Sequence, residues 1–285
     1  MIRLFSSDMD GTLLNNRSLI TERTKEAIIK FQQLGGCFIV NTGREYSSAK
    51  KELDFAGISC DVICAGGAAV YDQYGELLEE HIIPRSLAVK IIDILDQYDM
   101  YVDIYTDIGK VSIVPAFEMA KYYHEQVLPA SKKDGKIYFR SGEELKKLFE
   151  QTVHFDGAGK LYDSDVQIYK ICSCSINRDR LYRVRRACEK LSDVSMTYTS
   201  DHDIELTHKN AKKGAALLSY AQKKGIRSDE ILAVGDSEND RSMLELPIAR
   251  TIAMGNAMPS IKKAAQEICG NNTEDSVAQL LESLS

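Results

Sequence analysis

Apolar residues near the amino end follow two periods in turn. Arg3 to Ser7 carries the short pattern of a strand, after which Ala27, Ile28, Phe31 and Leu34 recur at helical spacing. Thr21 stands where that helix would take its N-cap and Gly35 where it would stop. Cys37 to Val40 reads as a second strand, running into Asn41-Thr42-Gly43-Arg44, so the segment predicts a parallel βαβ unit. The same order returns near the carboxyl end. A helix over Lys213 to Lys224 stops at Gly225, and the apolar strand Ile231 to Val234 runs into Gly235-Asp236. Thr251 to Met254 predicts another strand, and Ile261 to Glu267 and Val277 to Leu284 predict helices. Both ends of the chain are therefore expected in one Rossmann-like open parallel α/β sheet.

The middle has a different pattern. A helix is expected around Leu87 to Leu95, and alternation over Tyr101 to Thr106 and Lys110 to Val114 suggests a hairpin. Ser141-x-x-Glu144 is a capping-box signature, Gln167 to Ser175 reads as a strand, and Arg180 to Leu191 as a helix. These elements predict an α+β cap domain at 83–192, inserted into a core made of 1–82 and 193–285. The arginines at 178, 180, 183, 185 and 186 read as a solvated helix face.

Composition narrows the function classes. With 285 residues and 44% hydrophobic positions the chain can bury a full core, which excludes a disordered or fibrous protein. The net charge of −6, with basic residues scattered among acidic ones, argues against a nucleic-acid groove. No apolar run is long enough to cross a bilayer. The seven cysteines are odd in number and sit mostly in apolar runs, as expected of core residues in a reducing, cytoplasmic setting. Cys172 and Cys174 share one strand face, but no second pair completes a zinc site.

The candidate chemistry lies at strand ends. Asp8 and Asp10 follow the first strand and, on an extended segment, would point the same way at its carboxyl edge, where open parallel sheets bind ligands. Two carboxylates so close require a proton or a cation between them. Asp236 and Asp240 offer more carboxylates at what should be the same edge, and a hard cation such as Mg²⁺ would resolve the repulsion. Taken singly, Asp10-Gly11 also suits a turn and Asp236 and Asp240 suit helix capping. A calcium loop is excluded because its glycine and glutamate positions hold Leu13 and Leu19. Thr42 with Gly43 offers a hydroxyl and N–H groups, and Lys213 opens a helix where anions are attracted. No P-loop or dinucleotide glycine run is present.

Together these residues resemble the motifs of the haloacid dehalogenase-like hydrolase superfamily, and the chain looks like a Cof-type phosphatase. The pattern DxDGTLL is present from Asp8 to Leu14, the strand-end Thr as Thr42 in NTGR, and KGxAL from Lys213 to Leu217. GDxxND spans Gly235 to Asp240 and AMGNA spans Ala253 to Ala257. The chain departs from the family at Gly66, where asparagine is common, and at Asn210 and Ser276, where glycine is common.

The resemblance implies a two-step phosphoryl transfer in which Asp8 forms an aspartyl-phosphate and Asp10 moves the protons. It implies Mg²⁺ held by the carboxylates of Asp8 and Asp236 and the backbone carbonyl of Asp10, with Asp240 orienting from close by. Thr42, Gly43, Lys213 and Asn239 would bind the phosphate of a small phosphorylated metabolite, with the cap as a lid. A sugar phosphomutase using the same intermediate is the second reading, and a non-catalytic phosphometabolite-binding protein the third.

Overall fold

A computed structural model of the chain describes residues 1–134, 139 and 141–284. It divides into two compact units, Met1–Glu80 with Ala211–Ser285, and His81–Asn210.

In chain order, the first unit begins with strands β1 (Leu4–Ser7), β2 (Cys37–Asn41), β3 (Asp61–Cys64), β4 (Ala69–Tyr71) and β5 (Leu77–Glu80). The second unit contributes β6 (Asp103–Thr106), β7 (Gly109–Ser112), β8 (Val153–His154), β9 (Ile168–Cys174), β10 (Val194–Thr197) and β11 (Asp203–His208). The chain then returns with β12 (Ile231–Gly235), β13 (Arg250–Ala253) and β14 (Glu267–Ile268).

The first unit is an eight-stranded open sheet in the order β14, β13, β12, β1, β2, β3, β4, β5. From β14 to β3 every pairing is parallel, and β4 and β5 complete the edge antiparallel. Every residue of β1 and β12 is buried, and β12 is accordingly apolar without alternation, whereas β1 buries Ser6 and Ser7 as well. Helix Glu22–Gln33 is capped by Thr21, whose side chain accepts the Thr24 N–H, and it lays Ala27, Ile28 and Phe31 on the sheet. There Phe5 meets Phe31 edge-on at 6.3 Å and stacks on Phe38 at 5.7 Å between ring centroids. The mixed α/β class with an open, largely parallel sheet is the one the sequence predicts.

The second unit is a six-stranded sheet in the order β10, β11, β9, β6, β7, β8. Ile104, Ile171, Ile204 and Leu206 join one core with Leu87, Ile91 and Leu95 of helix Arg85–Gln97 and Leu181 and Val184 of helix Arg178–Cys188. The expected hairpin is β6–β7, and Ser141 accepts the Glu144 N–H at the start of helix Gly142–Gln151. The arginine-rich helix is laced by pairs such as Arg180 with Asp99 and Arg186 with Glu189.

Two expectations differ from the structure. The sequence reading assigns 193–210 to the core, whereas β10 and β11 hydrogen-bond beside β9 in the second sheet, and the contacts divide the chain after Asn210. These two strands carry too few apolar positions to announce which sheet they join. The helix expected over Ile261 to Glu267 covers Pro259–Ala264 only. Ala265 turns extended, Gln266 donates to the Thr251 carbonyl, and Glu267 enters the sheet as β14, gripped by Arg250 at 2.8 and 2.9 Å. Tertiary pairing overrides the local helical pattern there.

All seven cysteines are free thiols, three of them buried. Among the described residues no helix is long and apolar enough to cross a membrane.

Candidate active site

Strand register brings the motif residues together. Ser7 of β1 lies level with Val234 of β12 on one side and Val40 of β2 on the other, so the next residues leave the sheet at one edge. Asp8 emerges from β1, with its N–H bonded to the Val234 carbonyl at 3.0 Å. Asn41 and Thr42 emerge from β2, and Gly235 and Asp236 from β12.

Asp8 and Asp10 do not stay on one strand face. The strand stops at Ser7, and the chain folds back so that Leu13 and Leu14 donate to the carbonyls of Asp8 and Met9. Asp8 is left 4% exposed, with Oδ1 2.5 Å from the Lys213 ammonium, while the Asp10 side chain stays 52% exposed and is gripped by Arg44. The alternation expected of a continuing strand therefore does not apply, and each carboxylate has its own cation.

The fold-back depends on Gly11, whose φ is +79° and whose missing side chain makes room for Asp236. A Cβ there would lie 2.6 Å from Asp236 Oδ2. Thr12 Oγ1 donates to Asp236 Oδ1 at 3.1 Å, and Asn256 secures the turn through the Gly11 carbonyl at 2.8 Å.

Lys213, the first residue of helix Lys213–Lys223, is 1% exposed and donates to Asp8 at 2.5 Å and Asp240 at 2.6 Å. Asn41 holds the Lys213 carbonyl at 3.1 Å. Gly214 sits so close to the Ser242 carbonyl that any Cβ would collide with it, which fixes where the helix begins. The second oxygen of Asp240 accepts the N–H groups of Asp236 and Ser237, both at 2.9 Å. Both Asp240 oxygens are thereby engaged, one by Lys213 and the other by the acidic loop. Asn239 is 8% exposed and takes the Ser237 hydroxyl on its Oδ1 at 3.0 Å. Thr42, 1% exposed, accepts the Arg44 N–H on Oγ1 at 3.1 Å, and Gly43 lies between them in the same loop.

The electrostatics are unbalanced toward negative charge. Asp8, Asp236 and Asp240 each offer an oxygen within 4.8 Å of the others, the one such grouping with metal-ligand side chains among the described residues. Burial, then the Asp240 charge, push the Asp8 carboxyl well above its ordinary value, with Asp236 adding to the shift and Lys213 opposing it. Burial would lower the Lys213 ammonium, yet Asp240 and Asp8 outweigh it and hold the lysine charged. One buried cation among three acids leaves room for a second, and an all-oxygen donor set suits a hard divalent ion.

Of the residues singled out in the sequence, Asp8, Asp236, Asp240 and Lys213 converge, with Thr42, Gly43 and Asn239 on loops leaving the same edge. Arg44 carries no assignment in the sequence reading, although it stands in NTGR. Its partner is 34 positions away, and no periodicity links the two. Of the departures, Ser276 donates its hydroxyl to the Asn271 carbonyl at 2.8 Å, Asn210 is exposed, and the Gly66 N–H bonds the Thr42 carbonyl at 3.0 Å.

Comparison with known proteins identifies the family of the chain. A family model described as haloacid dehalogenase-like hydrolase matches residues 5–281. Phosphatase YwpJ of Bacillus subtilis is 27% identical over 99% of this chain and 100% of its own length. The 5-amino-6-(5-phospho-D-ribitylamino)uracil phosphatase YwtE of the same organism is 27% identical over 99% and 98%. A solved haloacid dehalogenase-like hydrolase from B. subtilis superposes with a TM-score of 0.87 at 26% identity, covering all of both chains.

Proposed function

Because the chain belongs to the haloacid dehalogenase-like hydrolase family, as a Cof-type phosphatase, we propose that it hydrolyses monoesters of small phosphorylated metabolites in two steps through Asp8. The observation that carries the reading is the buried Asp8 carboxylate, held by Lys213 beside Asp236 and Asp240 at the carboxyl edge of the sheet. The substrate class is that of relatives such as the ribitylaminouracil phosphate phosphatase.

The acidic cluster fits a divalent cation, since its excess negative charge is what raises the Asp8 carboxyl once burial is counted. The carboxylates of Asp8 and Asp236 and the backbone carbonyl of Asp10 would hold Mg²⁺. When bound, the ion neutralises charge between the Asp8 carboxylate and the phosphate oxygens.

The chain's own residues supply the rest. In the first step an Asp8 oxygen bonds to phosphorus as the ester P–O bond breaks, and the leaving oxygen takes a proton from the Asp10 carboxyl. In the second, water attacks phosphorus and gives a proton back to Asp10, while the Asp8 carboxylate leaves. A carboxylate suits this role because the mixed anhydride it forms is reactive enough to break down again. Lys213 steadies Asp8 and offsets charge on the phosphate, and Thr42, Gly43 and Asn239 contact its oxygens.

Asp8→Asn should leave the fold intact and abolish phosphate release from sugar, nucleotide and cofactor phosphates. Excess chelator should silence the wild-type protein until Mg²⁺ is returned. Retained turnover in the variant would refute the nucleophile, and turnover in chelator would refute the metal requirement.

A further inference from the structure

Arg44 leaves β2 with its backbone already fixed: its N–H reaches Thr42 Oγ1 at 3.1 Å, and its carbonyl accepts the Ala65 N–H at 2.7 Å. Its side chain spans two carboxylates. Nε and Nη2 form a fork on Asp10 at 2.8 and 2.7 Å, and Nη1 lies 3.5 Å from Oε1 of Glu52, a carboxylate 8% exposed on helix Tyr46–Ala56. A guanidinium is planar, so such a fork fixes the plane of the carboxylate as well as its distance. Asp10 stands on a turn with half its side chain in solvent, where a carboxylate without such a hold would spread over several rotamers. A carboxylate has about four lone-pair sites, and the fork uses one on each oxygen.

We infer that Arg44, braced by Glu52, is the positioning residue for Asp10, holding its carboxylate where it exchanges a proton with the leaving oxygen and then with the attacking water. This rests on the two-step reading above. The bonds made and broken are unchanged by Arg44, which sets the direction from which the Asp10 proton moves. Its contribution therefore depends on how badly the leaving group needs that proton.

The test compares phosphate release from two esters: the best alkyl phosphate found for the wild-type protein, and p-nitrophenyl phosphate, whose phenolate leaves without one. Arg44→Ala should lower kcat on the alkyl ester by about 10- to 100-fold, the scale of a misdirected catalytic group, with KM changed much less. The loss on the aryl ester should be at least about tenfold smaller. Arg44→Lys, which keeps the charge but not the fork, should recover little of the difference. Glu52→Gln, with Arg44 intact, should show the same selectivity in weaker form and serves if Arg44→Ala folds poorly. Combining Arg44→Ala with Asp10→Asn should add almost nothing to the loss from Asp10→Asn alone.

Equal losses on both esters, no loss, full rescue by lysine, or additivity with Asp10→Asn would each overturn the positioning role. An inert wild-type protein, or activity surviving Asp8→Asn, would instead overturn the two-step reading and not the role of Arg44 within it.

Discussion

Asp8 is kept in a setting that disfavours its charge, and this has a thermodynamic consequence at the scale of the single residue. Its carboxyl lies well above the ordinary value of 3.8 in the native protein, so the folded state binds the proton more tightly than the unfolded chain. Stability from this group is complete below the unfolded value and is lost as pH rises through the native value. Chelated wild-type protein should therefore lose stability relative to Asp8→Asn as pH rises from about 4 to neutrality, and the variant should melt higher at pH 7. The rise should be about 2 to 4 °C for each kcal/mol of strain relieved. Thermal melts of both proteins across pH, in chelator, give the difference curve, and a flat one would show that Lys213 fully balances the site. The resemblance names Asp8 as nucleophile, but its burial and its short bond to Lys213 are properties of the folded site.

At the scale of elements, the site depends on where helix Lys213–Lys223 begins. Gly214 to Ala would gain about 1 kcal/mol of helix propensity in isolation. The added methyl would collide with the Ser242 carbonyl, which is backbone and cannot rotate away. Overpacking of this kind costs about 1 to 3 kcal/mol and should win. Gly214→Ala should thus lower the denaturation midpoint and, by shifting Lys213 from Asp8 and Asp240, reduce kcat; an unchanged kcat would mean that the lysine reaches its partners from a displaced helix. Elements with strong periodicity or caps were legible beforehand, as Thr21 and Ser141 illustrate. Glu267 was not, because its residence in β14 comes from a neighbouring strand and from Arg250 rather than from its own segment.

At the scale of the whole molecule, a site assembled from carboxylates 228 positions apart couples ligand binding to folding of the first unit. A divalent ion bound only by the native site should stabilise by about 2.7 kcal/mol at a hundred times its dissociation constant. Mg²⁺ titrated into chelated protein should raise the melting temperature to a plateau, and Asp236→Asn should shrink that rise; equal rises in both would place the ion elsewhere. The sequence alone determined the parallel βαβ grammar at both ends, the acidic strand-end loops and the lysine that heads its helix, because periodicity, caps and motif order are written locally. The tertiary structure alone decided that residues 193–210 join the second sheet, that Asp8 and Asp10 part to different cations, and that Arg44 reaches Asp10. Each of those outcomes depends on which strands become neighbours and where a turn folds back, and long-range hydrogen bonds and close packing set both.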